Sequence, residues 1–418
     1  MVPKMNKHTG LSLKQNMLWN ALGSTIYLGC QWLCTILAVR LSPDLNNAGL
    51  LALAMTTAAI FYCVAAFNMR SYQVSDSVPV YTDGIYSAAR ILLFAAALLS
   101  CVGFSFIQGY SNKQLLIVGL YMLFKISEAL ADVIGGAAQK RERMDIEGKS
   151  FALRGILGTA AFALTLSLTG DMAWAVAAMS LATYGVIFFY QYRGTRKICN
   201  IQPEFDLRQA RKLIGACFLL FASSILYNSI VSVPRLFLQS YHGEDALAIY
   251  NAVATPAILV QTLCAYIYNP LLTRFTALYK QKEIKKLNGL VGKCLLTICA
   301  IVLVALATCF TLGEWGIRLL YGAHMAKHAN LLYLMVINTG LTAAVWFFSS
   351  LAIVIRRIKG LIAASVLGMG CCCLFSVLLI PSLNMDGTSL AGMIAQALEI
   401  LLLSCYFYFI LKKEARDE

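Results

Sequence analysis

One short run of the sequence places three ionisable residues close together inside an apolar segment. The run KISEALAD at 125–132 contains Lys125, Glu128 and Asp132, spaced three and four residues apart. A helix turns about 100° per residue, so this spacing puts all three on one face. Lys125 can pair with Glu128, which lowers the cost of burying both charges. The pattern fits either a structural ion pair between packed helices or the polar wall of a substrate pathway with a protonatable carboxylate.

A second carboxylate lies near the C-terminus, in the apolar run AGMIAQALEILLL. This residue is Glu399, and Gln396 precedes it by one helical turn. A single glutamate in such a segment can bind a proton or a sodium ion and so couple transport to an ion gradient. It can equally form a hydrogen bond to a neighbouring helix.

Two adjacent apolar segments of the second half are unusually polar. The first, about 212–234, contains Asn228 and ends at Arg235, and the second, about 246–269, contains Asn251. Each also carries a proline, which frees a carbonyl group and permits a bend. Bent, polar helices suit a conformational cycle around a substrate, although small residues also allow ordinary tight packing.

Arg70 and Arg90 bracket a polar stretch between two apolar segments. The planar fork of an arginine is well suited to binding phosphate. The alternative is that both arginines only mark the cytoplasmic side of the membrane.

The sequence lacks the motifs of common enzymes and cofactor sites. His324 and His328 form an HxxxH pair with no glutamate between them, and there is no phosphate-binding P-loop. The 14 cysteines contain no CxxC pair, so they predict small apolar packing residues. We expect neither catalysis, nor a metal site, nor a cofactor.

These residues must be positioned by membrane helices. Of the 418 residues, 59% are hydrophobic and 13% are charged, whereas a soluble domain has about 25% charged residues. A bilayer core requires about 20 apolar residues per helix, and only helices satisfy the backbone of so many crossings. We therefore predict an all-α integral membrane protein with about twelve transmembrane helices. The predicted spans are 17–40, 47–67, 87–108, 115–137, 151–169, 172–192, 212–234, 246–269, 289–312, 329–354, 360–381 and 388–411.

The distribution of basic residues predicts the orientation of these spans. With the N-terminus inside, 28 of the 34 Lys and Arg residues fall on inner segments, and Lys125 lies within a span. The other five fall on outer segments: Arg40, Lys113, Arg235, Arg318 and Lys327. Cytoplasmic segments carry such an excess, so we expect both termini in the cytoplasm. Anionic lipid also explains the net charge of +14 without nucleic-acid binding.

The chain is predicted to consist of two six-helix lobes, 1–200 and 201–418, connected through the basic segment 193–211. A weak internal sequence repeat supports this division. The segments 39–54 and 234–250 each place Arg-Leu at a helix end, followed by a short polar loop. Internal duplication is common among secondary transporters.

Four motifs resemble those of a known family. They are NMLWNALGS (16–24), NMRSYQVSD (68–76) with Arg90 downstream, KISEALADVIGGAAQKRERMDIEGKSFALRG (125–155), and PRLFLQSYHGEDALAIYN (234–251) followed by YNPLLTRFTALYK (268–280). The chain resembles the polysaccharide-biosynthesis transporters of the multidrug/oligosaccharidyl-lipid/polysaccharide exporter superfamily, the O-antigen or capsule repeat-unit flippases.

The resemblance implies two lobes around a central cavity in the bacterial cytoplasmic membrane. It implies a substrate consisting of an undecaprenyl-diphosphate-linked oligosaccharide, with membrane lipids, an ion gradient and a polysaccharide polymerase as further partners. The cationic cavity positions of similar flippases would correspond to Arg40, Arg70, Lys125 and Arg235. Two alternatives stay open: an ion-coupled drug or metabolite exporter of the same superfamily, which would favour Glu128, Asp132 or Glu399 as coupling site, and a membrane enzyme of glycan assembly.

Overall fold

The computed structural model describes residues 11–42, 45–75, 81–268, 271, 274–275, 278–279, 281–354 and 358–414. Most of the motif at 268–280 lies outside these ranges. Within the described residues the regular structure is helical and includes no strand. The helices are α1 (Leu13–Arg40), α2 (Asn46–Ala66), α3 (Met69–Ser75), α4 (Asp83–Ile107), α5 (Asn112–Gln139), α6 (Met144–Thr169), α7 (Met172–Val186), a π-helix (Ile187–Tyr192), α8 (Arg193–Arg196), α9 (Leu207–Tyr268), α10 (Ile284–Tyr321), α11 (Ala323–Ala326), α12 (Leu331–Val354) and α13 (Ile358–Glu414).

Nine helices of the described chain are long and apolar enough to cross a membrane. Two of these candidate spans, Leu207–Ala265 and Ile358–Ile410, contain 59 and 53 residues, more than twice the length that a bilayer requires. The 28-residue α5, which carries the charged face, is not among the nine. Twelve crossings require α5 to cross as well and both long helices to cross twice, so the predicted number is compatible with the structure and stays a prediction.

Polar caps define where several helices begin. The hydroxyl groups of Ser12 and Ser111 accept hydrogen bonds from the third residue of α1 and α5, and a glutamine at that position bonds back to each cap. Thr82 caps α4 and Asp171 caps α7 in a simpler way. Each cap satisfies an amide group that would otherwise lack a partner in the first turn.

Two predicted loops of the second half are helical. The segment 235–245 was expected to be a polar loop after Pro234, but α9 continues through Pro234 and is interrupted only at Gly243, where φ is 83°. Glycine adopts this conformation without a steric penalty. The predicted outer loop at 313–328 consists mainly of the end of α10 and the short α11.

The chain divides into two compact units, Met1–Phe221 and Ala222–Glu418. The functional division into two six-helix lobes with a boundary at residue 200 stays a prediction. In the first unit α1 packs along α6, and α5 packs against α2, α4 and α7. In the second unit α12 packs against α10 and α13.

The contact between α1 and α6 depends on glycine. A Cβ atom on Gly23 would overlap the backbone of Gly148, and one on Gly148 would overlap the backbone of Trp19. Further along, a Cβ atom on Gly155 would lie 3.1 Å from the Cα atom of Tyr27. We call this contact the glycine seam, and it brings the backbones of the two helices together over several turns.

The π-helix that follows α7 is hydrogen-bonded to both α5 and α6. Gln191 is buried, and its side-chain amide donates a hydrogen bond of 2.8 Å to the carbonyl of Ala131 in α5. Its oxygen accepts a hydrogen bond of 2.8 Å from Ser150 in α6. One side chain thus fixes the position of α5 relative to α6, next to the charged face of α5.

Candidate functional site

The charged face of α5 is divided between two groups of interactions. The structure confirms the pairing of Lys125 with Glu128, whose Nζ and Oε2 atoms are 2.6 Å apart. Asp132 lies one to two turns further along α5 and pairs with arginines from other helices. The three residues therefore share a helix face, as predicted, but not one site.

Lys125 and Glu128 form the centre of the first group, which we call the Lys125 cluster and which contains in addition Tyr27, Tyr62 and Tyr121. The hydroxyl of Tyr27, on α1, donates a hydrogen bond to Oε1 of Glu128. The ammonium group of Lys125 lies 5.7 Å and 5.8 Å from the ring centres of Tyr62 and Tyr121. Aromatic faces attract a cation at this distance, so rings and carboxylate together stabilise a largely buried charge.

The Lys125 cluster is not fully enclosed. The side chain of Lys125 keeps 21% of its surface exposed and that of Glu128 keeps 13%. A completely enclosed ion pair could not exchange either partner for a ligand or an ion. The partial exposure leaves room for one of the two charges to meet a ligand or an ion.

Asp132 is the centre of a second group, the Asp132 network, which also contains Arg70, Arg90, Gln139 and Glu147. Asp132 accepts hydrogen bonds of 3.1 Å from Arg70 and 2.7 Å from Arg90. Arg70 also donates to both carboxylate oxygens of Glu147, at 2.6 Å for Oε2, and to Gln139 at 2.9 Å. Arg90 is completely buried and donates a further bond of 2.9 Å to the carbonyl of Ala65.

A third ion pair extends this network. Arg141 lies 2.8 Å from Asp83 at the start of α4, and Gln73 donates a hydrogen bond of 3.1 Å to the same carboxylate. Space for these side chains comes from α5, because a Cβ atom on Gly135 would collide with the Glu147 carboxylate and one on Gly136 with Gln73. Three arginines thus balance three carboxylates, and the network as a whole is neutral.

Arg154 is a buried cation that the sequence analysis did not single out. It lies on α6 with 2% of its surface exposed, and its guanidinium carbon lies 5.3 Å from the ring centre of Tyr27 and 4.8 Å from that of Phe151. In the sequence it was grouped with the basic residues that mark the cytoplasmic side. It lies within the predicted span 151–169, and the structure places it among the buried residues of α6.

The remaining predicted residue of the first unit lies elsewhere. Arg40 is exposed at the C-terminal end of α1. It is 13 residues from Tyr27, or about 20 Å along the helix. The structure therefore does not bring Arg40 together with the Lys125 cluster.

The predicted residues of the second unit occupy separate places on α9 and α13. The guanidinium of Arg235 lies 5.7 Å from the ring centre of Tyr250, whose hydroxyl is 3.1 Å from that of Ser389. Asn228 donates a hydrogen bond of 2.8 Å to the carbonyl of Ser224 within its own helix. Asn251 is half-buried, and its backbone carbonyl accepts a hydrogen bond from the hydroxyl of Thr255.

Glu399 is completely buried in the second unit. It accepts a hydrogen bond from the hydroxyl of Ser365, while the neighbouring Gln396 accepts one of 3.2 Å from Thr342. These contacts match the interpretation of Glu399 as a residue bonded to a neighbouring helical segment. No group of three or more His, Cys, Asp or Glu residues in the described ranges has the geometry of a metal site.

Residues 36–330 match the model of a family described as Polysaccharide biosynthesis protein. The chain belongs to this family. Capsular polysaccharide biosynthesis protein CapF of Staphylococcus aureus is 22% identical over 384 residues, which cover 91% of this chain and 94% of that protein. The family inferred from the four sequence motifs is thereby confirmed.

Two solved structures show which fold this family member has. The lipid II flippase MurJ in an inward closed conformation is 13% identical, with a TM-score of 0.71 over 94% of this chain and 87% of that one. An inward-facing multidrug resistance MATE transporter of the MOP superfamily is 13% identical, with a TM-score of 0.68 over 95% of this chain and 99% of that one. This member of the family is thus a multi-pass bacterial membrane protein with the fold of MOP-superfamily transporters.

Proposed function

We propose that the protein is a flippase that moves an undecaprenyl-diphosphate-linked oligosaccharide from the inner to the outer leaflet of the cytoplasmic membrane. The observation that carries the proposal is the Lys125 cluster, a partly exposed group of charged and hydroxyl side chains on a helix that we predict to cross the membrane, in a member of a polysaccharide biosynthesis family. Lipid-linked substrates are consistent with the family and with the flippase among the similar structures.

The chemistry of the cluster suits such a substrate. Sugars and a diphosphate cannot enter hydrocarbon without losing many hydrogen bonds to water. Tyrosine hydroxyls, a carboxylate and an ammonium group replace some of these bonds, and aromatic rings offer faces for the apolar sides of sugars. The exposed part of Lys125 provides a positive charge for a phosphate group.

We assign ion coupling to Glu128 rather than to Asp132 or Glu399. A coupling carboxylate has to gain and lose a proton or a sodium ion during each cycle. Two arginines bind Asp132, and neutralising it would leave the buried charge of Arg90 without compensation. Glu128 has a single cationic partner and is partly exposed, which allows exchange. A proton or sodium gradient is the proposed driving force, and a polysaccharide polymerase is the proposed downstream partner.

A second candidate function is ion-coupled export of a drug or metabolite, because the multidrug transporter has nearly the same fold. An enzymatic role in glycan assembly has no comparable support, and we propose that the protein transports without catalysing a reaction.

Reconstitution into liposomes tests the proposal. Vesicles are prepared with a radiolabelled undecaprenyl-diphosphate oligosaccharide, and its exposure to an external glycosidase is measured with and without protein. Faster exposure with protein, competed by unlabelled substrate, is the expected result. Export of a cationic dye without any movement of the lipid-linked glycan would support the second candidate instead.

A further inference from the structure

The buried basic residues of the first unit differ in whether a carboxylate neutralises them. Arg70 and Arg90 bind Asp132, and Lys125 binds Glu128. Arg154 is 98% buried and forms neither an ion pair nor a hydrogen bond with any other described residue. Its Nε atom is fully enclosed without an acceptor.

The aromatic contacts of Arg154 do not provide acceptors for its N–H groups. The faces of Tyr27 and Phe151 attract the positive charge of Arg154, but a guanidinium group also has five N–H donors that require acceptors. A buried donor without an acceptor destabilises the folded state. Arg154 is therefore suited to an acceptor that binds during function.

The nearest carboxylate on the same helix is already occupied. Glu147 lies two turns before Arg154 on one face of α6, about 10 Å away along the helix. Both of its oxygens accept hydrogen bonds from Arg70. Glu147 therefore cannot serve Arg154 without breaking the Asp132 network.

Tyr27 connects Arg154 to the Lys125 cluster. Its ring lies against the guanidinium, while its hydroxyl donates to Glu128. Two cations, Lys125 and Arg154, thus lie near this tyrosine, and the single carboxylate beside it, Glu128, is paired with Lys125. The local excess of one positive charge favours an anion.

We infer that Arg154 is a binding residue for a phosphate oxyanion, and that in the transport cycle it takes the diphosphate of the lipid-linked substrate. Arginine binds phosphate through two parallel N–H···O bonds, which would satisfy donors that the protein itself leaves without acceptors. The inference rests on the proposed function for the identity of the substrate, but the anion site itself follows from the contacts of Arg154.

Binding to the purified full-length protein tests this assignment. Farnesyl diphosphate is the lipid-headgroup probe, inorganic diphosphate is the free-anion probe, and farnesol is the uncharged control. Loss of a charged hydrogen-bond pair predicts about tenfold weaker binding of farnesyl diphosphate to Arg154→Gln, whereas Arg154→Lys keeps part of the affinity. Arg193→Gln is the matched control, because Arg193 also lies over an aromatic ring, at 5.3 Å from Phe189, but is exposed.

A measurement on the wild-type protein covers the case in which Arg154→Gln does not fold. The protein is labelled with ¹⁵N-arginine, and the Nε–H resonance of Arg154 is assigned by its absence from the Arg154→Lys spectrum. Farnesyl diphosphate and inorganic diphosphate are expected to shift the Arg154 resonance but not that of Arg193. An Arg154 resonance that neither diphosphate shifts at saturating concentration would overturn the inference, and so would a shift caused only by short-chain phosphatidylglycerol.

Failure of the inference and failure of the proposed function give different results. Unchanged diphosphate binding by Arg154→Gln, together with normal movement of the lipid-linked glycan by wild-type protein, rejects Arg154 and keeps the flippase. Arginine-dependent diphosphate binding without any movement of the glycan rejects the flippase and keeps the anion site.

Discussion

Arg90 and Asp132 are 42 positions apart in the chain, yet a guanidinium nitrogen of Arg90 lies 2.7 Å from a carboxylate oxygen of Asp132. Arg90 has no exposed surface, whereas the side chain of Asp132 is 22% exposed. The pair joins α4 to α5. Arg70, on α3, binds the same Asp132 carboxylate and so joins a third helix to them.

Removing Asp132 should strongly destabilise the first unit. Asp132→Asn leaves the buried charge of Arg90 without a counter-ion, and breaking a buried pair on one side costs about 3–5 kcal/mol. Thermal unfolding in detergent measures the effect. Glu283→Gln, which breaks the exposed pair of Glu283 with Lys286, is the control and should change stability little. An Asp132→Asn protein as stable as the wild type would contradict this prediction. It would show that the Ala65 carbonyl and water are enough to stabilise the buried charge of Arg90.

Lys125→Ala should reduce surface polysaccharide while leaving the protein in the membrane. The substitution removes the partly exposed positive charge of the Lys125 cluster and frees Glu128. Surface glycan is measured by labelling of intact cells, with immunoblots of membranes to normalise for expression.

Lys113→Ala provides the matched control for Lys125→Ala. Lys113 lies on the same helix but is exposed at its N-terminal end, so its removal should leave surface glycan unchanged. Normal glycan levels in the Lys125→Ala strain would contradict the proposed role of the cluster.

Glu128→Gln should uncouple transport from the ion gradient. Glutamine retains an acceptor for the Tyr27 hydroxyl but cannot exchange a proton or bind sodium as a carboxylate does. The measurement is the ratio of glycan movement with and without an imposed gradient in proteoliposomes, which should fall to one.

Glu399→Gln is the comparison for coupling. An amide oxygen at this position can still accept the hydrogen bond from Ser365, so we expect the gradient response to persist. Loss of the response in Glu399→Gln, with retention in Glu128→Gln, would transfer the coupling role to the second unit.

The glycine seam should not tolerate a methyl group. Gly148→Ala places a Cβ atom against the backbone of Trp19, and such overpacking costs about 1–3 kcal/mol. Gly29→Ala is the control on α1, because its Cβ atom would meet nothing within 4 Å. Melting temperatures that fall equally for both variants would show that the loss comes from glycine itself rather than from the seam.

Sequence reasoning was most successful where the partners are close along the chain. The helical class, the family and the Lys125–Glu128 pair follow from hydropathy, motifs and a three-residue spacing. The pairing of Arg90 with Asp132 depends on how two distant helices pack, and spacing carries no information about that. The contact of Arg154 with Tyr27 is likewise set by the glycine seam, which brings α6 against α1.

The helix breaks show a second limit. Proline suggested where α9 would bend, but Pro234 and Pro256 lie within helical backbone and the interruption is at Gly243. A similar interruption in α13 occurs at Asn384, three residues after Pro381. Proline removes a donor and crowds the preceding turn, which a helix can accommodate by bending, whereas a residue with positive φ redirects the chain.

The order of charges in the Asp132 network also constrains how the chain enters the membrane. Arg70 and Arg90 are synthesised before Asp132 and Glu147, so the arginines reach the insertion machinery before their counter-ions exist. An unpaired arginine at the centre of a membrane helix costs about 2.5–3.5 kcal/mol, and its long side chain can meanwhile reach towards the headgroups. We therefore expect α4 to attain its final depth only once α5 has supplied Asp132, so that these two helices insert in a joint step.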